Sequence, residues 1–438
     1  MPPVTERLDR FFHVRARGST VGTEVRAGVA TFLTMAYVLF VNPQILAEAG
    51  MPPGDVATAT ALGAAVGTLA MAFLANYPFA LAPGMGLNAY FTYGVVIGMG
   101  QSWQTALTAV FVEGLVFLAL SFGGVRTMIV DAIPHTIKVA TSAGIGLFLA
   151  LIGFRNAGLV VDDAATLVGL GDLRTAGVAL ALLGVALIAA LESRKVKGGL
   201  LVGILAITLI SWATGLAPPP QSFFALPSLP KETFLAFDFG EILTGKLLVV
   251  VIAFLFVDIF DTAGTLIGVG RIGGFLDEKD RLPRADRAFA ADALGTVAGA
   301  AVGTSTVTTF VESAAGVEEG GRTGLTALTV GALFLLALFF APVFTAVPAV
   351  ATAPALVVVG ALMIGGVRDL PWGRLDEAVP AFLTVALMPF TYSIANGVVF
   401  GLLSWVAIKV LSGRGREVHG VLWILAALLL AYYAFLRT

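Results

Sequence analysis

Four acidic residues, Glu113, Asp258, Asp261 and Glu312, lie inside long apolar stretches of the sequence. An ionisable side chain at membrane depth is costly, so it usually faces a cavity and handles a substrate, an ion or a proton. Asp258 and Asp261 stand three residues apart in "FLFVDIFDTAGTLIG" (254–268), a spacing that puts both on roughly one face of a helix. Glu312 follows a Thr/Ser cluster at 304–309. Carboxylates accept hydrogen bonds, so the set suits a partner rich in N–H donors, such as a heterocycle with imide or ring N–H groups. Carboxylates gathered in a low dielectric also compete for protons, which gives a physical basis for proton coupling. The structural alternatives are a helix cap or ion pair for Asp258, Asp261 or Glu312, and a tie between two spans for Glu113 in "AVFVEGLVF".

Two broken apolar runs must position these groups. In "NYPFALAPGMGLNAYFTYG", Pro78, Pro83, Gly84 and Gly86 cannot comfortably continue a regular helix. "GAAVGTSTVTTFVESAAG" stands in the corresponding place of the second half, interrupted at Gly303 and the Thr/Ser cluster. Paired interruptions of this kind point to a transporter's binding site. Backbone N–H groups near Ala89–Tyr90 and Thr306–Thr308 would offer donors and a positive dipole end to a polar ligand. Asn88, just after "PGMG", carries an amide that can pair with both donor and acceptor edges of a base; a helix cap is nearly as good a reading. Tyr90 and Phe310 are the aromatics placed to stack on a flat ring. The three histidines, His13, His135 and His419, fall at the ends of expected spans and read as interfacial.

The rest of the chain fits a polytopic membrane protein. Of its 438 residues 58% are hydrophobic and 12% charged, against about 25% charged in soluble proteins, and the mean hydropathy is +0.94. The net charge of −2 offers nothing to nucleic acid. With no cysteine, thiolate metal sites, disulfides and cysteine nucleophiles are excluded. The basic N-terminal segment has no cleavable apolar core, so the first span is expected to direct insertion. Apolar runs near 25–46, 56–75, 79–99, 104–122, 134–154, 173–191 and 197–215 precede a Pro-rich polar stretch. A second set follows near 245–269, 288–302, 304–317, 323–342, 353–367, 376–391 and 393–411. With the N-terminus inside, this count leaves 20 of the 26 Lys and Arg on the cytoplasmic side, including Arg126 and Lys279. An apolar segment at 419–436, ending near Arg437, is not decided by that test.

"ATALGAAVGT" (59–68) resembles "ADALGTVAGA" (291–300), and "GGLLVGILAITLISWA" (198–213) loosely resembles "ANGVVFGLLSWVAIKV" (395–410). The pairs keep the same order in each half. With seven spans per half, the second copy must enter from the opposite side, giving an inverted repeat.

Four longer stretches, "TEVRAGVATFLTMAYVLFVNPQIL", "LAPGMGLNAYF", "FVDIFDTAGTLIG" and "TSTVTTFVESAAGVEEGGRTGLTA", together resemble the AzgA-like purine permeases, from about residue 5 to the end. These transporters of hypoxanthine, adenine and guanine are related to the nucleobase–ascorbate transporter group. The resemblance implies an all-α fold of fourteen spans in two inverted repeats of seven, with short strands in broken spans 3 and 10. Spans 1–4 (25–122) and 8–11 (245–342) would form a core domain that carries substrate. Spans 5–7 (134–215) and 12–14 (353–411) would form a gate, which in family members is often the dimer contact. Residues 1–24 would be cytoplasmic, 216–244 an extracytoplasmic loop and 412–438 a C-terminal apolar segment. By the same resemblance the site residues are Asp258, Asp261, Glu312 and Asn88, with Glu312 and either aspartate binding ring N–H groups of the purine and the other aspartate, or the pair, taking up the coupling proton, in an elevator-like displacement in the cell membrane. No cofactor or metal is implied. The uracil branch has a Glu with a His four residues later in span 8; here Asp–x–x–Asp and Thr265 favour the purine branch.

Two other readings remain at this stage. An inorganic-anion carrier shares the architecture, but carboxylates in the site would repel its cargo. A membrane-embedded enzyme would need a metal-ligand cluster, His pair or nucleophile motif that the sequence lacks.

Overall fold

The apolar runs fold as helices because lipid leaves every backbone polar group to be satisfied within the chain. The computed structural model describes residues 4–121, 134–240, 245–278 and 281–435; Arg126, Lys279 and Arg437 lie outside them. Among the described residues nine helices are long and apolar enough to cross a membrane, the first spanning Val21–Ala47 and the last Ile394–Leu411. Helices Gly199–Ala213, Ala285–Val302 and Leu375–Phe390 occupy further apolar runs. The final segment folds as a helix over Gly420–Phe435. Exposed Leu183, Leu209, Phe382 and Leu411 on the outer surface suit contact with acyl chains.

One boundary differs from the sequence expectation. The first membrane helix begins at Val21 rather than 25, capped by Thr20, whose side chain accepts the Thr23 N–H. The residues before it are anchored: helix Val4–Phe12 leads to buried Phe12 and Val14, and Arg17 donates to the carbonyls of Asn76 (3.0 Å) and Arg322 (3.2 Å).

The strands are β1 (Leu81–Pro83), β2 (Val160–Asp163), β3 (Leu167–Leu170) and β4 (Val307–Thr309). β1 and β4 are the expected strands of the two broken runs. The hairpin β2–β3 is an addition to the expected fold, an exposed connection after helix His135–Asn156.

Two packing groups organise the helices. In one, Ala285–Val302 lies against Pro53–Ala70 and Trp103–Ser121, and Gly324–Ala337 against Val21–Met35 and Pro53–Ala70. In the other, His135–Asn156 lies against Ala349–Met363 and Leu375–Phe390, and Leu375–Phe390 against Ile394–Leu411. The repeated sequences 59–68 and 291–300 meet at the centre of the first group. Each carries a Gly-x-x-x-Gly pair, and small residues at this spacing let helix backbones approach closely. A methyl placed at Gly63 would lie 3.2 Å from Gly299 Cα, and one at Gly67 3.2 Å from Gly295 Cα. The methyls of Val307, on β4, fill the notch beside all four glycines. That crossing holds the strand pair in the middle of the helices.

The second group ends in a charge network. Buried Lys409 meets Asp376 (2.8 Å), Glu377 (2.9 Å) and Glu417 (2.8 Å), while Arg414 reaches Asp376 (2.8 Å) and Trp405 donates to Glu377 (3.0 Å). The loop before residue 241 is tied to the first group: Asp55 accepts the Glu232 (2.6 Å) and Thr233 (3.3 Å) N–H groups, and the Leu235 N–H reaches the Ala301 carbonyl (2.8 Å).

Candidate functional site

β1 and β4 pair antiparallel, with Leu81 opposite Thr309, Ala82 opposite Thr308 and Pro83 opposite Val307. The bonds flanking the ladder mirror each other: Gly84 N–H to the Thr306 carbonyl (3.0 Å) and Phe310 N–H to the Ala80 carbonyl (2.9 Å). Neighbouring hydroxyls satisfy other strand groups. Thr68 bonds the Leu81 carbonyl (2.9 Å), Thr296 the Val307 carbonyl (2.9 Å), and Ser313 accepts the Ala80 N–H (2.9 Å). Extended backbone is thus paid for at membrane depth by its partner strand and by threonines, which explains much of the Thr/Ser cluster.

The acids divide into two sets around this pair. Asp258 and Glu113 are fully buried, and none of their carboxyl oxygens has a hydrogen-bond partner among the described residues. They act on each other, and both are acted on by Asp292, which the sequence reading overlooked. Asp292 is fully buried; Oδ1 accepts from Thr309 (2.7 Å) and Oδ2 is unpartnered. The Thr262 and Thr308 hydroxyls share a 2.7 Å hydrogen bond beside this trio.

Asp261 belongs elsewhere. It is exposed, one turn beyond Asp258, on a helix face where a methyl at Gly264 or Gly268 would touch nothing. Glu312 acts on it, and Asp261 in turn acts on Asp258 and Asp292, so the two sets are neighbours rather than isolated. Glu312 is half-buried at the start of helix Ser313–Glu318, and its Oε1 accepts from the hydroxyl of buried Tyr37 (2.9 Å). Tyr37 sits at the break between helices Val21–Met35 and Val38–Ala47 and was also missed. The rule that singled out the other four acids applies equally to Asp292. A tyrosine in an apolar run carries no comparable signal.

The remaining expected residues are placed unevenly. Asn88 is fully buried in helix Met85–Ala89 and does not cap it; its side-chain oxygen accepts from Ser305 and its amide nitrogen is unpartnered. Thr306 is buried with an unpartnered hydroxyl, whereas the Thr308 hydroxyl is taken by Thr262. Ala89 and Tyr90 stand at the wrong end of their helix to present free N–H groups. The Tyr90 N–H bonds back to Gly86 and Leu87, while the unsatisfied amides of a helix belong to its first turn, here after Gly84. Tyr90 packs its ring on Phe254 at 4.8 Å. Phe310 is buried.

A carboxylate pair beside two broken helices is a geometry for gripping a small polar solute, and relatives of the chain carry it further. The family model described as a permease family (Xan_ur_permease) matches residues 22–400. The chain belongs to this permease family. It is therefore a transporter and not an enzyme. The permease is 43% identical to the guanine/hypoxanthine permease PbuO of Bacillus subtilis (95% of this chain, 98% of the relative). It is 42% identical to the adenine permease AdeQ of Escherichia coli (96% and 95%). A putative permease of Methanocaldococcus jannaschii is 47% identical (98% of each). Among solved structures, the transmembrane domain of the cyanobacterial bicarbonate transporter BicA resembles it with TM-score 0.66 at 17% identity, covering 86% of this chain and 97% of that one. At that identity the likeness speaks for the fold alone.

Proposed function

We propose that this permease carries purine nucleobases across the cell membrane in symport with protons, with the N-terminus in the cytoplasm. Relatives covering nearly the whole chain are named for guanine, hypoxanthine and adenine. The observation that carries the reading is the accessible Asp261 beside Glu312, at the start of a half-helix behind paired strands. Two acceptor groups there suit ring N–H donors. Asn88 and Thr306, each buried with an unpartnered polar atom, are further candidates for polar contact with the purine.

Proton coupling is assigned to Asp258, Glu113 and Asp292. Among the described residues both oxygens of Asp258 and Glu113 and Oδ2 of Asp292 lack donors, and an unpaired charge in such a place is costly. A proton shared between Asp258 and Glu113 would both remove a charge and make a hydrogen bond. Loading this trio while Asp261 and Glu312 hold substrate couples the two events through the one helix that carries both aspartates.

In this reading the two packing groups are the core and the gate of two inverted seven-span repeats, and the core is displaced against the gate in an elevator-like movement. The crossed Gly-x-x-x-Gly pairs and the mirrored strand bonds support the symmetry. The test is uptake of labelled hypoxanthine, adenine, guanine and uracil into cells, with and without a protonophore. Uptake of purines but not uracil, collapsing with the proton gradient, supports the reading. Gradient-independent uptake removes the coupling, and no purine uptake removes the substrate.

A further inference from the structure

We infer that Tyr37 is a positioning residue that fixes Glu312 for its ligand, an inference that rests on the purine reading above. Residues 21–47 form one span interrupted near Ala36, and the phenol leaves the chain at that interruption. Tyr37 is 2% exposed, and its hydroxyl donates to Glu312 Oε1 at 2.9 Å. Thr34, three residues earlier, bonds the Glu312 carbonyl at 3.4 Å, so the same span holds both ends of that residue. Asp261 and Glu192 are the other carboxylates that act on the phenol.

A carboxylate has two acceptor oxygens. With Oε1 held by Tyr37, the carboxyl plane is fixed and Oε2 is left for a ring N–H of the substrate. Fixing the group before the ligand arrives removes the cost of ordering it on binding. A phenylalanine at position 37 keeps the packing and leaves the carboxyl free to turn. The consequence falls on affinity, because the hydroxyl acts through Glu312 and makes no hydrogen bond to Asp258 or Glu113.

The experiment is initial-rate uptake of labelled hypoxanthine by cells expressing wild type, Tyr37→Phe, Glu312→Asp and the double variant, with the ligand-free melting temperature of each purified protein as a folding control. Aspartate at 312 is one methylene too short to keep the bond to the phenol. We expect Tyr37→Phe to raise KM about tenfold, the scale of one hydrogen bond to a charged group, with Vmax per transporter little changed. In the Glu312→Asp background the same change should alter KM less than about twofold, the non-additivity of groups acting as a unit. KM does not depend on the amount of transporter, so poor accumulation does not hide the result. An unchanged KM, a loss confined to Vmax, or an equal tenfold rise in the Glu312→Asp background overturns the inference. Purine uptake by wild type that Tyr37→Phe leaves intact removes only the role of Tyr37; absence of purine uptake by wild type removes the functional reading and this role together.

Discussion

Asp258 and Asp261 lie three residues apart on one helix and differ in exposure: Asp258 is buried with Glu113 and Asp292 acting on it, whereas Asp261 is exposed with Glu312 acting on it, and Asp261 also acts on Asp258. In the proposed mechanism the helix links a place for a proton with a place for a solute, and substitutions at the two positions should have separable effects.

Asp261→Asn should weaken hypoxanthine binding to purified protein by about 10- to 100-fold, the range for losing a hydrogen bond to a charged acceptor. Microscale thermophoresis with labelled protein reads this directly. Affinity within about threefold of wild type would remove Asp261 from the site.

Asp258→Asn, Glu113→Gln and Asp292→Asn should keep binding within about threefold and lose accumulation against a gradient. In proteoliposomes with an imposed pH difference, each variant should let labelled purine equilibrate without concentrating it. A variant that still concentrates substrate would show that its carboxyl does not carry the proton.

Gly67→Leu tests the crossing beneath the strand pair. A Cβ there would already lie 3.1 Å from Val307 Cγ1 and 3.2 Å from Gly295 Cα, so a larger side chain must part the two helices. Overpacking of this kind costs about 1–3 kcal/mol, read as a lower melting temperature together with weakened purine binding, since β4 leans on the same notch. An unchanged melting temperature would contradict the tight packing at this crossing.

Lys409→Met removes the ammonium that Asp376 and Glu377 share, but Asp376 keeps Arg414 and Arg374 and Glu377 keeps Trp405, so the loss is that of a hydrogen bond to a charged group, about 1.5–3 kcal/mol. The Lys409 ammonium also holds the Glu417 carboxyl below the ordinary carboxylate range, through the hydrogen bond between them. A carboxyl so depressed stabilises the fold above the unfolded pKa of about 4.3 and loses that contribution as pH falls through the folded value. Melting temperature measured from pH 7 to about pH 2.5 should therefore fall in wild type once the pH drops below about 4.3, and the Glu417 part of that fall should be absent in Lys409→Met. Equal acid sensitivity in the two proteins would contradict the assignment.

Much of this arrangement was legible in the chain. Hydropathy located the helices, Pro83 and Gly303 marked the broken runs, and the repeat at 59–68 and 291–300 marked the glycines that cross. Asp258, Asp261, Glu113 and Glu312 declared themselves by the cost of charge in lipid. The grouping of the acids did not, because two residues three apart subtend only about 60° on a helix, and what each meets depends on neighbours from other spans. Asp292 was visible by the same rule yet stood in "ADALG", where the repeat pairs it with Thr60 and drew attention to packing. Tyr37 was invisible because its role depends on a helix break that no proline or glycine announces. The amides at Ala89 and Tyr90 were misplaced because the half-helix starts at Gly84, several residues earlier than the motif suggested. The hairpin β2–β3 lies in a polar connection whose four-residue strands carry little pattern.

The most direct measurement is calorimetric titration of hypoxanthine into the purified permease and its Glu312→Gln variant at neutral pH. Saturable binding to wild type that falls by tenfold or more in the variant is the predicted result. Binding of equal strength to both proteins would contradict the account.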